Sequence, residues 1–577
     1  MTRNNRAVGS PHRDRTIQRR GKLVRLLVGA SLVAILSLSL LGCFGVADPA
    51  TYYGKVVVPR AQQFRWSDGG LPQTFDPAFA AAPPDTDAVR ALFEGLTDYD
   101  PKTLTAVPAV ATRWESSGDG RTWTFYLRDD AHWSNGDKVT AHDFVKSWER
   151  TIKIGPLAPH TELLNNIEGA TSPTKPADKV QNDSAPAPLR RFGAEAVDDH
   201  VLRVRLQSGD ANFPALVAHP VFRPVKVPES EPTKRLGASN LISNGAFLLA
   251  KSDNQSVLLE RAQTYWDGAS VALDRVEFVN TPNAEDALAA YRSGEVDAVS
   301  SAPFEPLALK LLTPYKDFRR STFGALTYYS FNTTRPPFDD VRVREALAIS
   351  INRERVSRDD LGGATEPAGK FLPEVAPSDK PVVDNSELLQ EDVRKARELL
   401  AEAGYPDGQN FPVVRLLVNR NDQQRIVAQS IAQMWRSALN IDTEIIIKNW
   451  DEYEAIVKAG DYDVVRRGMV MQTTDELTNL RLLFPAESRA EAAQPPDPTE
   501  AREASARPGG AVLERTPELA LVESEAQALK ELKAMPIYFA SSYALVKPYV
   551  SGFDANLLGV PSLKKTRIET GWTERKP

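Results

Sequence analysis

Residues 386–418, "SELLQEDVRKARELLAEAGYPDGQNFPVVRLLV", decide the fold class. Leu389, Val393, Ala396, Leu400 and Ala403 recur at spacings of four, three, four and three, so this stretch predicts a helix with one apolar face. Gly404 and Pro406 stop it. "VVRLLV" then reads as a strand, and a second helical pattern opens near Asp422 with Val427, Ile431, Met434 and Ala438 facing inward. "TEIII", from Thr443, is the next strand. Strand, helix and strand with short connections form the unit of an α/β lobe. "YDVV", Tyr462 to Val465, extends the same sheet, which sets "RRGMVMQTTDEL" (466–477) just beyond a strand's carboxyl end, where such sheets place ligands.

A second region is legible between Trp114 and Ile152. Trp123, Phe125 and Leu127 alternate onto one face of a half-buried strand, and Asn135-Gly136 makes a turn. Thr140 with Asp143 three residues on forms a capping box, opening a helix that shows Phe144, Trp148 and Ile152 on one side.

With 577 residues, 42% hydrophobic and 25% charged, the chain can bury a large core and should divide into more than one lobe. Its net charge of −6 is unevenly spread. Residues 1–42 hold eight Lys or Arg against the single acid Asp14, a balance of +7 that leaves about −13 for the rest. Such an acidic body argues against nucleic acid as a partner. The basic stretch through Arg25 and the apolar run Leu26–Gly42 read as the n- and h-regions of a secretion signal, 1–42. A retained helix of 17 residues would barely span a bilayer. Leu40-Leu41-Gly42-Cys43 resembles the bacterial lipobox, which makes Cys43, the sole cysteine, a lipid anchor and leaves no disulfide framework. Arg19-Arg20 hints at twin-arginine export, although an ordinary basic n-region explains it better. A tether follows at 43–54. Two Pro- and Ala-rich stretches, 171–188 and 486–511, read as loops.

Enzyme signatures are missing. All six histidines lie at or before His219, and no Gly-x-Ser-x-Gly elbow, His-Glu-x-x-His pair or phosphate-binding glycine loop occurs. Carboxylate pairs such as Asp339-Asp340 are expected by chance among 76 acids and read as helix caps. No enzymatic activity, cofactor or metal is expected.

The segments "FEGLTDYD", "WTFYLRDDAHWSNGDKVTAHDFVKSWER", "AVDDHVLRVRL", "YRSGEVDA", "TYYSFNTTRPPFDDVRVREALAISINRERV" and "NIDTEIIIKNWDEYEAIVKAGDYDV" occur in this order. Together they resemble the extracytoplasmic solute-binding proteins of the oligopeptide, dipeptide and nickel class, lipoproteins that serve ATP-driven importers. The resemblance covers about Gln63 to Trp572. It implies a two-lobed periplasmic-binding-protein type II fold, α/β, with a hinge and an extra domain inserted in the first lobe. By likeness the first lobe takes 55–93, 195–299 and 543–577, the insert 94–194, and the second lobe 300–542. The implied partners are a peptide ligand held between closing lobes, and the permease and ATPase subunits of an importer. The implied setting is the periplasm or the outer face of the cell membrane, with a monomer touching the membrane only through its lipid. Other solutes (a modified peptide, a cell-wall fragment, a metal chelate) and an envelope sensor or scaffold are the alternatives.

The same resemblance supplies candidate ligand residues. Leu71, Pro72 and Gln73 would lie alongside the peptide, joined by Asn244, Tyr328, Tyr329 and Asn332, with Trp450 as a flat apolar wall. The family's Arg-x-Gly-Trp-x-x-Asp-Tyr pattern lines up with Arg466 to Thr473, covering Gly468, Met469, Val470, Met471 and Gln472. Arg466 and Gly468 match. The tryptophan is Met469 here, and the aspartate that grips the peptide's amino terminus is Gln472, which supplies no charge. A changed ligand, a replacement acid at Asp475, or relaxed import would each account for that departure.

Overall fold

The computed structural model describes residues 52–170, 192–374, 388–484 and 522–574, apart from positions 229, 232, 523 and 555. The signal segment, Cys43, the tether up to Thr51, and the loops 171–188 and 486–511 lie outside the described residues.

The helix read at 389–403 spans Val393–Glu402, and Asp392 caps it by accepting the Lys395 N–H at 2.9 Å. Ala396 and Leu400 are buried, with Leu389 and Ala403 at the margin of the same core. Val414–Asn419 is the strand, Asp422–Leu439 the second helix with Val427, Ile431 and Met434 buried, and Thr443–Lys448 the strand that pairs parallel to Val414–Asn419. One boundary differs. The strand that begins at Val464 continues to Val470, so Arg466 to Val470 lie within the sheet rather than past its end. The cause is non-local: Phe318–Phe331 pairs antiparallel with it from Phe331↔Val464 to Ala325↔Val470.

The large sheet runs Thr443–Lys448, Val414–Asn419, Val464–Val470, Phe318–Phe331, Ala534–Val546, Ala298–Ser300, Gln63–Asp68, Arg275–Val279, Ser256–Arg261, Phe247–Ser252, and Thr365–Pro367 adds to Ala534–Val546. Two long strands, Phe318–Phe331 and Ala534–Val546, join its halves, and their mutual register shifts between Thr322 and Leu326. Each half has its own core. Phe64, Trp66, Phe247 and Phe278 centre one; Val414, Leu416, Ile431 and Trp435 centre the other. The result is a two-lobed α/β fold.

A separate four-stranded sheet orders Ala111–Ser116, Thr122–Leu127, Val201–Arg205 and Ala194–Asp198. The expected end of the insert at Ala194 thus falls at the start of one of this sheet's strands. The Ala141–Ile154 helix carries the Thr140/Asp143 capping box in both directions, and its Phe144 and Trp148 share a core with the first lobe.

Candidate functional site

Gln63–Asp68 and Ala298–Ser300 run parallel and end together, with Asp68 opposite Ser300. The Trp66 indole N–H donates to Ser300 Oγ at 2.8 Å, and that hydroxyl donates to Asp68 Oδ1 at 2.8 Å. Past this point the chain turns sharply. Gly69 has φ +68°, and a Cβ there would stand 2.7 Å from the Ser301 carbonyl oxygen, so the turn requires glycine. Ser301 itself is left-handed, with φ 54°. The Asp85–Leu92 helix brings Asp87 and Arg90 to the same place.

These groups form one wall of a cavity of about 430 Å³. His219 joins that wall; Val470, Met471 and Gln472 come from the other half of the sheet, while Arg319, Phe323 and Ser541 to Ala544 come from the two joining strands. The cavity therefore sits at the carboxyl ends of parallel strands and where the two halves of the sheet meet, the position that α/β folds favour for ligands.

Electrostatics set the state of its polar groups. Burial pushes both the Asp68 and the Asp87 carboxyl up, and the nearby Asp68 charge pushes Asp87 further. Arg90 reaches Asp87 Oδ1 at 3.4 Å. Burial holds the His219 imidazole well below its usual range, with His160 and Arg90 adding to the effect. His219 Nδ1 accepts the Val221 N–H at 3.2 Å, so its Nε2–H donates to Gln472 Oε1, 3.1 Å away. The Gln472 amide nitrogen donates to the Val470 carbonyl at 3.1 Å. Its acceptor and one donor are therefore engaged.

The residues expected to meet ligand divide. Val470, Met471 and Gln472 line the cavity. Met469 is buried in the small core with Leu326 and Tyr328, and Tyr329 is wholly buried in the second core; both aromatic side chains serve packing. Asn244 clasps the Glu94 backbone, accepting its N–H at 3.0 Å and donating to its carbonyl at 3.1 Å. Asn332 donates to the carbonyls of Gly460 and Tyr462, which fixes the turn before the Val464–Val470 strand. Leu71 packs against the first core, Pro72 is buried, and Gln73 is exposed, donating to the Leu71 carbonyl. Trp450 is 59% exposed and stacks on Tyr453 at 5.4 Å. The Tyr453 hydroxyl in turn donates to the Arg466 carbonyl. Asp475, the proposed replacement acid, caps the Glu476–Leu483 helix through Thr478 N–H and accepts from Asn212 at 2.6 Å, so both its oxygens are committed.

Asp68, Asp87, Arg90 and His219 were not singled out as ligand residues. For Asp68 a signal existed: an acid closing the strand with alternating Phe64 and Trp66 immediately before Gly69-Gly70, at a carboxyl end. Asp87 carried none, because it is one acid in an acidic first helical turn.

A two-lobed α/β fold with a largely apolar cavity, carrying a few acids and arginines, where the halves of its sheet meet defines a solute-binding protein of the periplasmic type. The chain belongs to the bacterial extracellular solute-binding proteins, family 5, whose model matches residues 105–490. It is 31% identical over 497 residues to the periplasmic murein peptide-binding protein MppA of Escherichia coli K12, covering 84% of this chain and 89% of that protein. With the periplasmic oligopeptide-binding protein OppA of the same organism it shares 28% over 538 residues, 91% and 95% of the two chains. The solved structure of MppA described as a murein tripeptide binding protein in its unliganded open form superposes with TM-score 0.70 at 29% identity, covering 89% of this chain and 98% of that one. These relatives are named as binding proteins. Among the described residues no helix is long and apolar enough to cross a membrane.

Proposed function

We propose that the protein is an exported receptor that captures oligopeptides between its two lobes and delivers them to an ATP-driven importer. The observation that carries this reading is an unpaired strand edge beside the cavity. Val464 and Val465 pair on both sides, with Phe318–Phe331 and with Val414–Asn419, but from Arg466 to Val470 the strand pairs with Phe318–Phe331 alone among the described residues. Its other edge offers main-chain groups to an extended peptide whatever its side chains, apart from the Arg466 carbonyl, which takes the Tyr453 hydroxyl, and the Val470 carbonyl, which takes the Gln472 amide. From Arg466 to Val470 the strand covers roughly 13 Å, the length of about four extended residues. The names of the relatives, for murein peptides and oligopeptides, support the same class of ligand.

The hinge lies at the register shift near Thr322–Leu326 in this reading, and closure is favoured by whatever the ligand gains from touching both lobes. The first lobe then takes 55–93, the return after Arg205, and the final residues; the insert runs from Glu94 to about Arg205, because the Ala194–Asp198 and Val201–Arg205 strands belong to its sheet. Signal removal at 1–42 and a lipid on Cys43 would hold a monomeric receptor at the membrane face. A mixed library of tri- to pentapeptides should change the intrinsic tryptophan fluorescence saturably, and small molecules that co-purify should include peptides by mass spectrometry. A receptor that gives neither signal is not a peptide receptor.

Gln472→Asp tests the wall of the second lobe. An aspartate there faces His219 Nε2 and favours the imidazolium, so the His219 resonance, neutral in the parent near neutral pH, should titrate at higher pH in the variant. An unchanged histidine titration by NMR would separate the two side chains.

A further inference from the structure

The second lobe presents no free charge to the cavity at Gln472, whose oxygen is held by His219 and whose nitrogen is held by the Val470 carbonyl. The acids on the cavity wall are Asp68, Asp87 and Asp554, and the arginines are Arg90 and Arg319. Asp554 faces Arg319 at 3.7 Å, and Arg90 reaches Asp87. One acid is left over. Among the described residues Asp68 has no cation paired with it and its Oδ2 has no hydrogen-bond donor; it is wholly buried, and the cavity opens against it. The Asp87 carboxyl lies against it.

An unpaired buried carboxylate is costly, and folds retain one where something else completes it. Here the surroundings hold it in place: the Trp66–Ser300 relay fixes Oδ1, and the Gly69 and Ser301 turns carry the chain away on both sides. We propose that Asp68 and Asp87 together form a binding site for a primary ammonium of the ligand, presented from the first lobe. The proposal rests on the peptide reading and names the group that the cavity selects.

Burial raises both carboxyls and the Asp68 charge raises Asp87 further, which favours a proton shared by the pair before ligand enters. The charged and titratable groups around the pair do not remove that need. Arg90, from the same helix as Asp87, is shared with the field of Arg223, Asp98 and Tyr99; His219 is neutral; Arg319 is engaged by Asp554 and by the Phe553 carbonyl at 2.8 Å. When an ammonium enters, its N–H groups replace the shared proton, which leaves to solvent, and the charge in the cavity stays constant.

The test is calorimetric titration of the full chain near neutral pH with Ala-Ala-Ala, N-acetyl-Ala-Ala-Ala and N-acetyl-Lys-Ala-Ala, each in phosphate and in Tris. Expected for the unsubstituted protein is binding of Ala-Ala-Ala with a heat that differs between buffers, reporting release of close to one proton, and binding of N-acetyl-Ala-Ala-Ala about tenfold weaker or less, with no release. Asp87→Asn and Asp68→Asn should each remove most of the preference for the free amine. N-acetyl-Lys-Ala-Ala that binds with the same proton release and the same sensitivity to the variants would assign a side-chain ammonium to the pair; the acetylated behaviour would assign the α-amino group. If the unsubstituted protein binds Ala-Ala-Ala with buffer-independent heat and both variants bind it equally well, the pair is not the site and the peptide reading stands. Should either variant fail to fold, the buffer comparison on the unsubstituted protein decides alone. Failure of the unsubstituted protein to bind these three peptides and the mixed library would overturn the peptide reading and this site with it.

Discussion

Asp76→Ala should destabilise the folded protein by about 3–5 kcal/mol. Asp76 belongs to the segment "GGLPQTFDP" and is wholly buried. Its Oδ1 accepts Arg150 Nη1 at 3.0 Å and the Ala78 N–H at 3.1 Å, and its Oδ2 accepts Arg150 Nη2 at 2.5 Å and the Leu236 N–H at 2.9 Å. Arg150 is 2% exposed at its side chain and also donates to the Lys234 carbonyl at 2.8 Å. The pair thus ties the "GGLPQTFDP" segment to the Ala141–Ile154 helix and to the 234–236 return. Removing the carboxylate leaves a guanidinium in a dry site with one carbonyl for company, and that uncompensated charge dominates the loss. Replacing both partners at once, Asp76→Leu with Arg150→Met, should recover most of it, because the two desolvation costs vanish together. Denaturant unfolding of the three proteins measures this. A single variant that loses under about 1 kcal/mol would mean that water reaches the pair.

What the sequence disclosed follows from range. The helices at Val393–Glu402 and Asp422–Leu439 were legible because their buried residues recur every three or four positions and their caps are local. The Thr140/Asp143 box was legible for the same reason. By contrast, Arg466-Arg467-Gly468 carries no apolar alternation and includes a strand-breaking glycine, and pairing with a strand about 140 residues earlier keeps it extended. Aromatic residues could not be sorted by type: Tyr329 vanished into a core and Trp450 stayed largely in solvent. The cavity drew together Asp68, Asp87, His219 and Gln472, which are scattered across some 400 positions and share no motif. Family likeness pointed to the segment that holds Gln472, just past the Val464–Val470 strand, yet could not show that its amide was already engaged by His219.

Arg466→Ala should weaken peptides that end in a free carboxylate by about 2–5 kcal/mol, a loss of more than tenfold, while leaving their C-terminal amides nearly unaffected. On the Val464–Val470 strand, alternation puts Arg466 on the same face as Gly468 and Val470, and Val470 lines the cavity. A Cβ at Gly468 would stand 3.2 Å from Arg466 Nη2, so the glycine gives the guanidinium room to lie along the strand. Among the described residues the guanidinium's one hydrogen bond goes to the Thr327 hydroxyl, at 3.4 Å, its Nε is buried without a partner, and no acid stands within ion-pair distance. The strand is pinned beneath it by the Tyr453 hydroxyl on the Arg466 carbonyl. A cation held in place and left unpaired suits a two-pronged bond to a carboxylate. Arg466→Lys should not rescue, since an ammonium cannot form both prongs. Gly468→Ala should produce a smaller loss by displacing the guanidinium a few tenths of an ångström. With the ammonium end near Asp87 and the carboxylate near Arg466, the peptide would run antiparallel to this strand along its free edge. Equal loss for the acid and the amide in paired titrations would instead make Arg466 a packing residue of the strand, and the orientation would fall with it.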